Sequence, residues 1–289
     1  MRARISDFYK NRSWKQATFQ EECLLHISHG QSGLLNAPTG SGKTYAIWLG
    51  ILHKIPQPAK GIHVLWITPL RALSGDTVAA LKGAVEEMGL SWEITLRTGD
   101  TDAKTRTALK KKPPHVLVTT PESVHLMLAS PGYADYFKNL CAVVVDEWHE
   151  LLGSKRGVQT ELALSRLHHI KPNLLIWGIS ATIGNLEQAL EVLLGNSKKG
   201  VLVRAEQKKL PEVYSLIPEH IDQLPWAGHL GISMLEKVNE VIRQHGTTLI
   251  FTNTRSQTEI WYQQLLDTDP DLAGRLAMHH GSLSNEVRS

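Results

Sequence analysis

A glycine-rich segment that follows a short apolar run is the feature that most constrains the fold of this 289-residue chain. The run spans 33–36, and the segment after it comprises Ala37, Pro38, Thr39, Gly40, Ser41, Gly42, Lys43 and Thr44. A glycine-rich turn between a buried strand and a helix that opens with Lys-Thr is typical of a phosphate-binding loop. Its backbone N–H groups curl around phosphates, and the helix N-terminus adds a favourable partial charge. The segment therefore predicts a nucleotide site in an α/β fold, the alternative being an ordinary strand-to-helix turn.

The side chains at the end of this segment have the chemistry that a nucleotide with its metal requires. Lys43 can reach the β- and γ-phosphates, and the Thr44 hydroxyl can bind Mg²⁺. The segment departs from the standard pattern at its first position, where Ala37 replaces glycine.

Short apolar runs alternate with longer amphipathic stretches along the chain. This pattern predicts an α/β fold with a mostly parallel sheet and helices on both faces. We predict strands over 33–36, 62–68, 92–97, 116–119, 142–145, 174–180 and 201–204. Helices are predicted to begin near Gly42, Arg71, Pro121, Gly157 and Leu186. Since the run 143–145 is apolar on both faces, its strand is expected to lie buried between helices.

The composition excludes several classes of protein. The chain is 42% apolar and 20% charged with a net charge of +3, which is ordinary for a globular protein and too apolar for a disordered one. Two cysteines exclude a disulfide scaffold and a four-cysteine zinc site. No apolar run approaches the roughly 18 residues of a membrane span, and the N-terminus lacks the apolar core of a secretory signal. We therefore expect a cytoplasmic protein that does not act at a membrane.

The chain is predicted to contain two domains joined by a linker. Residues 1–204 carry the strand–helix alternation, 205–231 are richer in Pro, Gly and polar residues, and 232–289 open a second α/β unit. In that unit we predict helices over 233–244 and 256–266 and strands over 248–252 and near 276–278.

Two carboxylates follow the apolar run 142–145. Asp146 and Glu147 would lie at the carboxyl end of a strand, where open α/β sheets bind ligands. Asp146 can hold Mg²⁺, and Glu147 can accept a proton from an attacking water. The alternative is that the two acids cap a helix. Ser180 and Thr182 follow another apolar run, which is a weak signal by itself because Ser and Thr often cap helices.

The order of these motifs resembles that of superfamily-2 helicases of the DEAD/DExH type. The ordered motifs span 37–44, 68–73, 97–100, 119–123, 146–149 and 180–182. Longer strings are similar to the large helicase-related (Lhr) group, and most similar to its bacterial ligase-associated DExH-box branch. They span 145–157, 225–230, 250–255 and 279–283. The resemblance covers about 14–288 and implies a P-loop NTPase fold, with one RecA-like lobe and an incomplete second RecA-like lobe.

The resemblance also implies a role for each motif residue. Gln20 would read the adenine of ATP, and 37–44 would bind its phosphates. The catalytic residues would be Lys43, Asp146, Glu147 and His149, with Thr44 and Asp146 holding Mg²⁺. Ser180 and Thr182 would couple the ATP site to nucleic acid. The implied strand contacts are Arg71, Gly99, Thr120 and Pro121 in the first lobe and Thr252, Asn253, Arg255, His280, Gly281 and Ser282 in the second.

These observations predict an ATP-dependent nucleic-acid helicase or translocase with ATP and Mg²⁺ as cofactors. By resemblance, its partner is single-stranded DNA or a 3′-tailed duplex, its movement is 3′-to-5′, and it works in DNA repair with other repair proteins. The alternative is a truncated non-catalytic fragment that binds ATP and nucleic acid, since the family's arginine-finger motifs would follow residue 289. A P-loop kinase is a weaker alternative because it leaves 180–182 and 251–255 unexplained.

Two further groups are predicted to have ordinary roles. The lysines at 110–112 are predicted to form a solvated turn, the alternative being phosphate contact. Trp48, Trp66 and Trp177 are predicted to lie in the core, whereas Trp148 is predicted to pack beside the acidic motif.

Overall fold

The structure is a computed structural model that describes residues 1–195, 199–205, 212–217 and 231–280, with the backbone alone described at residues 71 and 72. The chain divides into two compact units, Met1–Lys209 and Leu210–Ser289. This division falls within the segment 205–231, whose role as a linker stays a prediction.

The first unit is built on one parallel sheet. Its strands are β1 (Gly33–Asn36), β2 (Val64–Ile67), β3 (Ile94–Arg97), β4 (Val116–Thr119), β5 (Ala142–Val145), β6 (Leu175–Ser180) and β7 (Val201–Arg204). The seven strands are arranged in the order β3-β4-β2-β5-β6-β1-β7, and every pair is parallel. The apolar runs predicted all of these strands, and where the bounds differ the observed strand is shorter at its ends.

Helices pack on both faces of this sheet. They are α1 (Arg2–Asn11), α2 (Thr18–Ser28), α3 (Lys43–Lys54), α4 (Arg71–Glu87), α5 (Ala103–Lys111), α6 (Pro121–Leu128), α7 (Tyr133–Tyr136), α8 (Trp148–Leu151), α9 (Lys155–Ile170) and α10 (Leu186–Leu194). The predicted helix starts fall within two residues of the starts of α3, α4, α6, α9 and α10. Within the described residues, no helix combines the length and the apolar character that crossing a membrane requires.

Alternate strand residues supply the two halves of the core. Val64 and Trp66 of β2 pack on the face covered by α1 to α4, whereas Leu65 and Ile67 pack on the face covered by α6, α9 and α10. All four side chains are fully buried. A strand presents successive side chains to opposite faces, so continuous apolar runs are what a sheet covered on both faces requires.

Among the described residues, four tryptophans are fully buried, and each indole N–H donates to an acceptor. They are Trp48, Trp66, Trp148 and Trp177. The predicted core position of Trp48, Trp66 and Trp177 is confirmed. Trp148 Nε1 donates to Ala189 O at 3.0 Å, which ties the turn after Glu147 to α10. A buried tryptophan is a large apolar anchor, so this turn is fixed to the core.

The second unit, where it is described, is helical. It contains a 3₁₀ turn (Ile232–Met234), α11 (Leu235–Gln244), α12 (Arg255–Thr268) and a second 3₁₀ turn (Pro270–Leu272). Trp261, Leu265 and Leu272 form its buried cluster. The two helices agree with the prediction to within a few residues.

The strands predicted over 248–252 and near 276–278 are wrong, since neither segment is a strand. Leu249 and Phe251, which the apolar run would bury, are exposed. A strand must pair its backbone groups with a neighbouring strand, and the described part of this unit contains none.

Candidate functional site

The carboxyl ends of three neighbouring strands hold the predicted nucleotide residues. β5, β6 and β1 are adjacent in the sheet. Asp146 and Glu147 follow β5, Ser180 ends β6, and the loop 37–42 follows β1. Parallel strands present their carboxyl ends at one edge, where open α/β sheets bind ligands. The sheet thereby brings together segments that are far apart in the sequence.

The phosphate loop has a backbone that requires glycine. Gly40 and Gly42 have φ values of +77° and +84°, in the left-handed region that only glycine adopts without strain. A Cβ at Gly42 would also lie 2.7 Å from the nearest side-chain nitrogen, whereas a Cβ at Gly40 would meet nothing within 4 Å. Helix α3 begins directly after the loop at Lys43, so its N-terminus opens onto the loop, as phosphate binding requires.

Gln20 holds the start of α2 against this loop. Its Oε1 accepts a hydrogen bond from Ala17 N at 2.9 Å, and its Nε2 donates to Gly42 O at 3.2 Å. The side chain is buried. The amide therefore links the beginning of α2 to the glycine that turns the loop, and the role of Gln20 in reading adenine stays a prediction.

Asp146 is buried at the end of β5. Trp66 Nε1 on β2 donates to its Oδ2 at 3.3 Å, and the Glu147 N–H donates to its Oδ1 at 3.0 Å. Burial, and then the charge of Glu147, raise the pKa of Asp146, while the Trp66 hydrogen bond and the Lys43 ammonium oppose the rise. A nearby cation would favour the ionised form of such a carboxyl, so the environment suits a metal ligand.

Glu147 combines a strained backbone with an ion pair across the site. Its φ is +45°, in the left-handed region, which costs about 1–2 kcal/mol for a residue with a Cβ. Its Oε1 lies 2.7 Å from Lys43 Nζ, and both side chains are largely buried. The strained turn thus directs the carboxylate towards the lysine that opens α3.

A series of polar contacts joins the acids to the end of β6. His149 Nδ1 lies 3.4 Å from Glu147 Oε2 and 3.1 Å from Ser180 Oγ. The Ser180 carbonyl accepts a hydrogen bond from Ala37 N at 2.9 Å, at the first position of the phosphate loop. Thr182, which was predicted to act with Ser180, is exposed. The structure therefore brings Ser180 to His149 and leaves Thr182 at the surface.

Two residues of this site were not identified from the sequence. Asn36 Nδ2 donates to Ala181 O at 2.9 Å and links the end of β1 to the segment after β6. Trp66, predicted only as a core residue, contacts the carboxylate of Asp146. Asn36 could have been found from the sequence, since it is a polar residue at the end of an apolar run. Trp66 could not, because its contact with Asp146 depends on the pairing of β2 with β5.

The other half of the same sheet edge carries the predicted strand-contact motifs of the first unit. β2, β4 and β3 are neighbours there, and β2 also adjoins β5. Helix α4 begins at Arg71 after β2, and α6 begins at Pro121 after β4 with Thr120 as its N-cap residue. After β3, Gly99 O accepts a hydrogen bond from Arg106 Nη2 of α5 at 2.7 Å. These motifs therefore share one edge, although the side chain of Arg71 lies outside the described residues.

In the second unit, predicted strand-contact residues gather at the start of α12. Thr252 Oγ1 lies 2.6 Å from Thr258 Oγ1. Asn253 N donates to Gln257 Oε1 at 3.1 Å, and Arg255 is the first residue of the helix. The segment before α12 is thus fixed to its first turns.

His280 also lies against α12, since its Nε2 is 3.4 Å from Glu259 Oε1. The neighbouring motif residues Gly281 and Ser282 lie outside the described residues. The role of this group in binding nucleic acid stays a prediction.

A parallel sheet with a glycine-rich loop after β1 and an acid pair after β5 defines a P-loop nucleotide-binding domain. Residues 17–189 match the DEAD/DEAH box helicase family, which is more than half of the chain. The chain therefore belongs to the DEAD/DEAH box helicase family.

Lhr-type helicases are among the curated relatives of this chain. It is 32% identical over 306 residues to "ATP-dependent helicase Lhr-Core protein 2" of Thermococcus barophilus, an alignment that covers 96% of this chain and 35% of the relative. It is 33% identical over 304 residues to "ATP-dependent helicase Lhr-Core" of Methanocaldococcus jannaschii, covering 98% of this chain and 35% of the relative. The chain thus spans about a third of the length of these curated relatives.

A solved structure of the same type matches the fold. The structure of Mycobacterium smegmatis helicase Lhr bound to ssDNA and AMP-PNP is 28% identical, with a TM-score of 0.77, and the match covers 97% of this chain and 38% of that one. The predicted RecA-like helicase fold and the resemblance to the Lhr group are confirmed. The assignment to the ligase-associated branch stays a prediction.

Proposed function

We propose that this chain carries the ATP-binding motor of a nucleic-acid helicase, which couples ATP hydrolysis to movement along a strand. The observation that carries the proposal is the position of two sets of motifs on one sheet edge. The nucleotide motifs lie at β1, β6 and β5, the strand-contact motifs lie at β2, β4 and β3, and β2 adjoins β5. Since packed strands do not deform independently, a shift at one set is passed to its neighbour.

The residues at β1 and β5 fit ATP with Mg²⁺. Lys43 would neutralise phosphate charge, and the Thr44 hydroxyl and the Asp146 carboxylate are the oxygen ligands that Mg²⁺ prefers. The metal, when bound, would stabilise charge that develops on the phosphates. Glu147 would accept a proton from the attacking water, and its 2.7 Å contact with Lys43 keeps it beside the phosphate-binding residue.

His149 and Ser180 would report the state of the nucleotide site. His149 Nδ1 contacts both Glu147 and Ser180, and Ser180 is bonded to Ala37 of the loop. A change in the charge or position of Glu147 would therefore change the contacts at the end of β6. Thr182, exposed after the same strand, would carry that change outward.

The identity of the strand and the direction of movement rest on the resemblance to the Lhr group. We propose single-stranded DNA or a 3′-tailed duplex as the partner, 3′-to-5′ movement, and work in DNA repair in the cytoplasm alongside other repair proteins. The structural relative from Mycobacterium smegmatis was solved with ssDNA and AMP-PNP, which supports both ligands. Backbone groups and hydroxyls on loops at β2, β4 and β3 suit contact with any sequence, because they address the phosphate backbone.

The test is ATP hydrolysis by this chain with and without single-stranded DNA. We expect hydrolysis to be stimulated by DNA and abolished by Lys43→Ala and by Glu147→Gln. Lys10→Ala and Glu86→Gln are matched controls, because both residues are exposed and lie outside the contacts described above. Both controls are expected to keep the wild-type rate.

Other outcomes would contradict the motor. ATP binding that Lys43→Ala removes, with no turnover in any variant, would instead support the alternative of a non-catalytic fragment. Absence of ATP binding in the wild-type chain would exclude both functions. Displacement of a labelled strand from 3′-tailed and 5′-tailed duplexes, made of DNA or of RNA, would test polarity and strand type separately.

A further inference from the structure

The first unit contains a cavity of about 1200 Å³ that none of the predicted site residues lines. It lies beside β3, the edge strand of the sheet, between the C-terminal end of α5 and the segment that holds α6 and α7. Its wall also includes Gly61, Glu93 and His115, which precede β2, β3 and β4. The cavity therefore extends away from the sheet edge that carries the nucleotide motifs.

A buried arginine forms part of this wall. Arg97, the last residue of β3, is 8% exposed and lines the cavity. Its Nη1 is buried and has no hydrogen-bond partner within the described part of the chain. A buried N–H without an acceptor costs free energy, so Nη1 gains from an anionic acceptor, while another part of the guanidinium is hydrogen-bonded to Tyr136.

Further cations surround the arginine, and acids are few. The lysines that line the cavity are Lys60, Lys110, Lys111, Lys112 and Lys138, against the acids Glu93 and Asp135. Lys112 is paired with Glu93 at 2.7 Å. Lys110 and Lys111 are exposed and form no ion pair within the described residues. The cavity therefore has an excess of positive charge.

Aromatic and apolar groups complete the lining. Tyr133, Tyr136, Met127 and Pro113 face the same space. Tyr136 lies close enough to the Arg97 guanidinium for that charge to oppose the rise that burial causes in the pKa of its hydroxyl. Cations beside aromatic rings are the combination with which proteins bind single-stranded nucleic acid. An acidic peptide would need the cations but would gain less from the rings.

Helix α5 connects this cavity to the sheet edge that carries the motifs predicted to contact nucleic acid. Near the start of α5, the Arg106 side chain donates a hydrogen bond to Gly99 O. The helix ends with Lys110 and Lys111. A helix of 9 residues is about 13.5 Å long, roughly the length of four stacked nucleotides. A single strand of nucleic acid that reaches the Gly99 loop could thus continue along α5 into the cavity.

We propose that this cavity is a second binding groove for single-stranded nucleic acid, in which Lys110, Lys111 and Arg97 contact backbone phosphates and the tyrosines contact bases. The groove acts in addition to the strand-contact motifs at the sheet edge. The proposal shares with the proposed function the premise that nucleic acid is the ligand, but it does not require ATP turnover.

The test measures the binding of a fluorescent oligothymidylate of about 20 nucleotides to the whole chain. Binding is measured by fluorescence anisotropy in the absence of ATP, over a series of salt concentrations. Loss of two phosphate contacts lowers the slope of log affinity against log salt by about 1.4 for a single strand. We therefore expect Lys110→Gln with Lys111→Gln to weaken binding about 20-fold near 0.1 M salt and to lower the slope by that amount. Lys10→Gln with Lys82→Gln, which removes the same charge from exposed positions on α1 and α4, is expected to change neither value.

A second measurement uses an oligothymidylate that carries 4-thiothymidine. Photocrosslinks are expected in the peptide that contains Tyr133 and Tyr136, and they are expected to be lost in the Lys110→Gln, Lys111→Gln variant. Equal losses of affinity in this variant and in the control pair, or no binding by the wild-type chain, would overturn the proposal. So would unchanged DNA binding together with weaker binding of a poly-glutamate peptide, since the groove would then take an acidic protein segment. None of these outcomes depends on ATP hydrolysis, whose absence would affect the proposed function alone.

Discussion

At the scale of single residues, the two acids of the site have unfavourable features that the fold imposes. Glu147 has a left-handed backbone, and Asp146 is buried next to the charge of Glu147. The surrounding structure fixes both, because Asp146 N donates to Ile67 O at 2.8 Å and Trp148 anchors the following turn. Strain and perturbed pKa values of this kind gather at functional sites.

The raised pKa of Asp146 predicts a specific pH dependence of stability. The folded state keeps the proton at pH values where the unfolded chain, near the ordinary Asp pKa of 3.8, has lost it. The contribution of Asp146 to stability therefore falls as pH rises from about 4 through the raised pKa, by at most about 1.4 kcal/mol per pH unit. Asp146→Asn removes this titration. We expect the unfolding free energy of the variant, relative to wild type, to increase in urea titrations as pH rises above about 4.

Asn cannot accept both hydrogen bonds that Asp146 accepts from Trp66 and Glu147, so the variant also loses stability at every pH. The measured quantity is therefore how the difference in unfolding free energy between variant and wild type changes with pH. Asp7→Asn in α1 is the control, since Asp7 is exposed. A difference between Asp146→Asn and wild type that stays flat with pH would contradict the raised pKa.

At the scale of elements, local patterns predicted most of the first unit. An apolar run, two glycines and a lysine predict the strand β1, the loop after it and the start of α3. These signals are local, since they depend only on residues that are close in the sequence. Helix α9 begins at Lys155 rather than near Gly157, because Ser154 Oγ accepts the Gly157 N–H and caps the helix earlier. The apolar run at 248–252 failed as a strand prediction because pairing depends on a partner that local pattern does not reveal.

Glycine is required at the loop for two different reasons, which substitutions can separate. Gly40→Ala and Gly42→Ala both force a Cβ into the left-handed region, at about 1 kcal/mol each. Only Gly42→Ala also pushes against Gln20 Nε2, which is 2.7 Å from the new Cβ. We expect Gly42→Ala to weaken binding of a non-hydrolysable ATP analogue roughly fivefold more than Gly40→Ala, in calorimetric titrations.

A double-mutant cycle isolates the contact with Gln20. In a Gln20→Ala background, the difference between the two glycine variants is expected to shrink, since the obstructing amide is gone. An unchanged difference would show that Gln20 does not restrain the loop.

At the scale of the whole molecule, the order of the strands decides which motifs meet. The nucleotide residues that the structure describes all lie in the first unit, together with both large buried clusters. The small cluster of the second unit is built on Trp261, Leu265 and Leu272.

This organisation predicts that residues 1–209 fold alone. The fragment is expected to unfold cooperatively in a thermal melt and to bind a non-hydrolysable ATP analogue within about twofold of the affinity of the whole chain, because its core and its loop are complete. Lys43→Ala in the fragment is the control and is expected to remove binding. A fragment that melts without cooperativity, or binds tenfold more weakly, would contradict an independent first unit.

The sequence by itself determined the features that depend on neighbouring residues. These are the buried strands, the conformation of the loop at Gly40 and Gly42, the acid pair after β5 and the resemblance to Lhr-type helicases. Tertiary structure alone decided the contacts between distant segments, among them Trp66 with Asp146 and the cationic cavity around Arg97. The physical reason is that strand order and register, not spacing along the chain, set which side chains meet at a sheet edge.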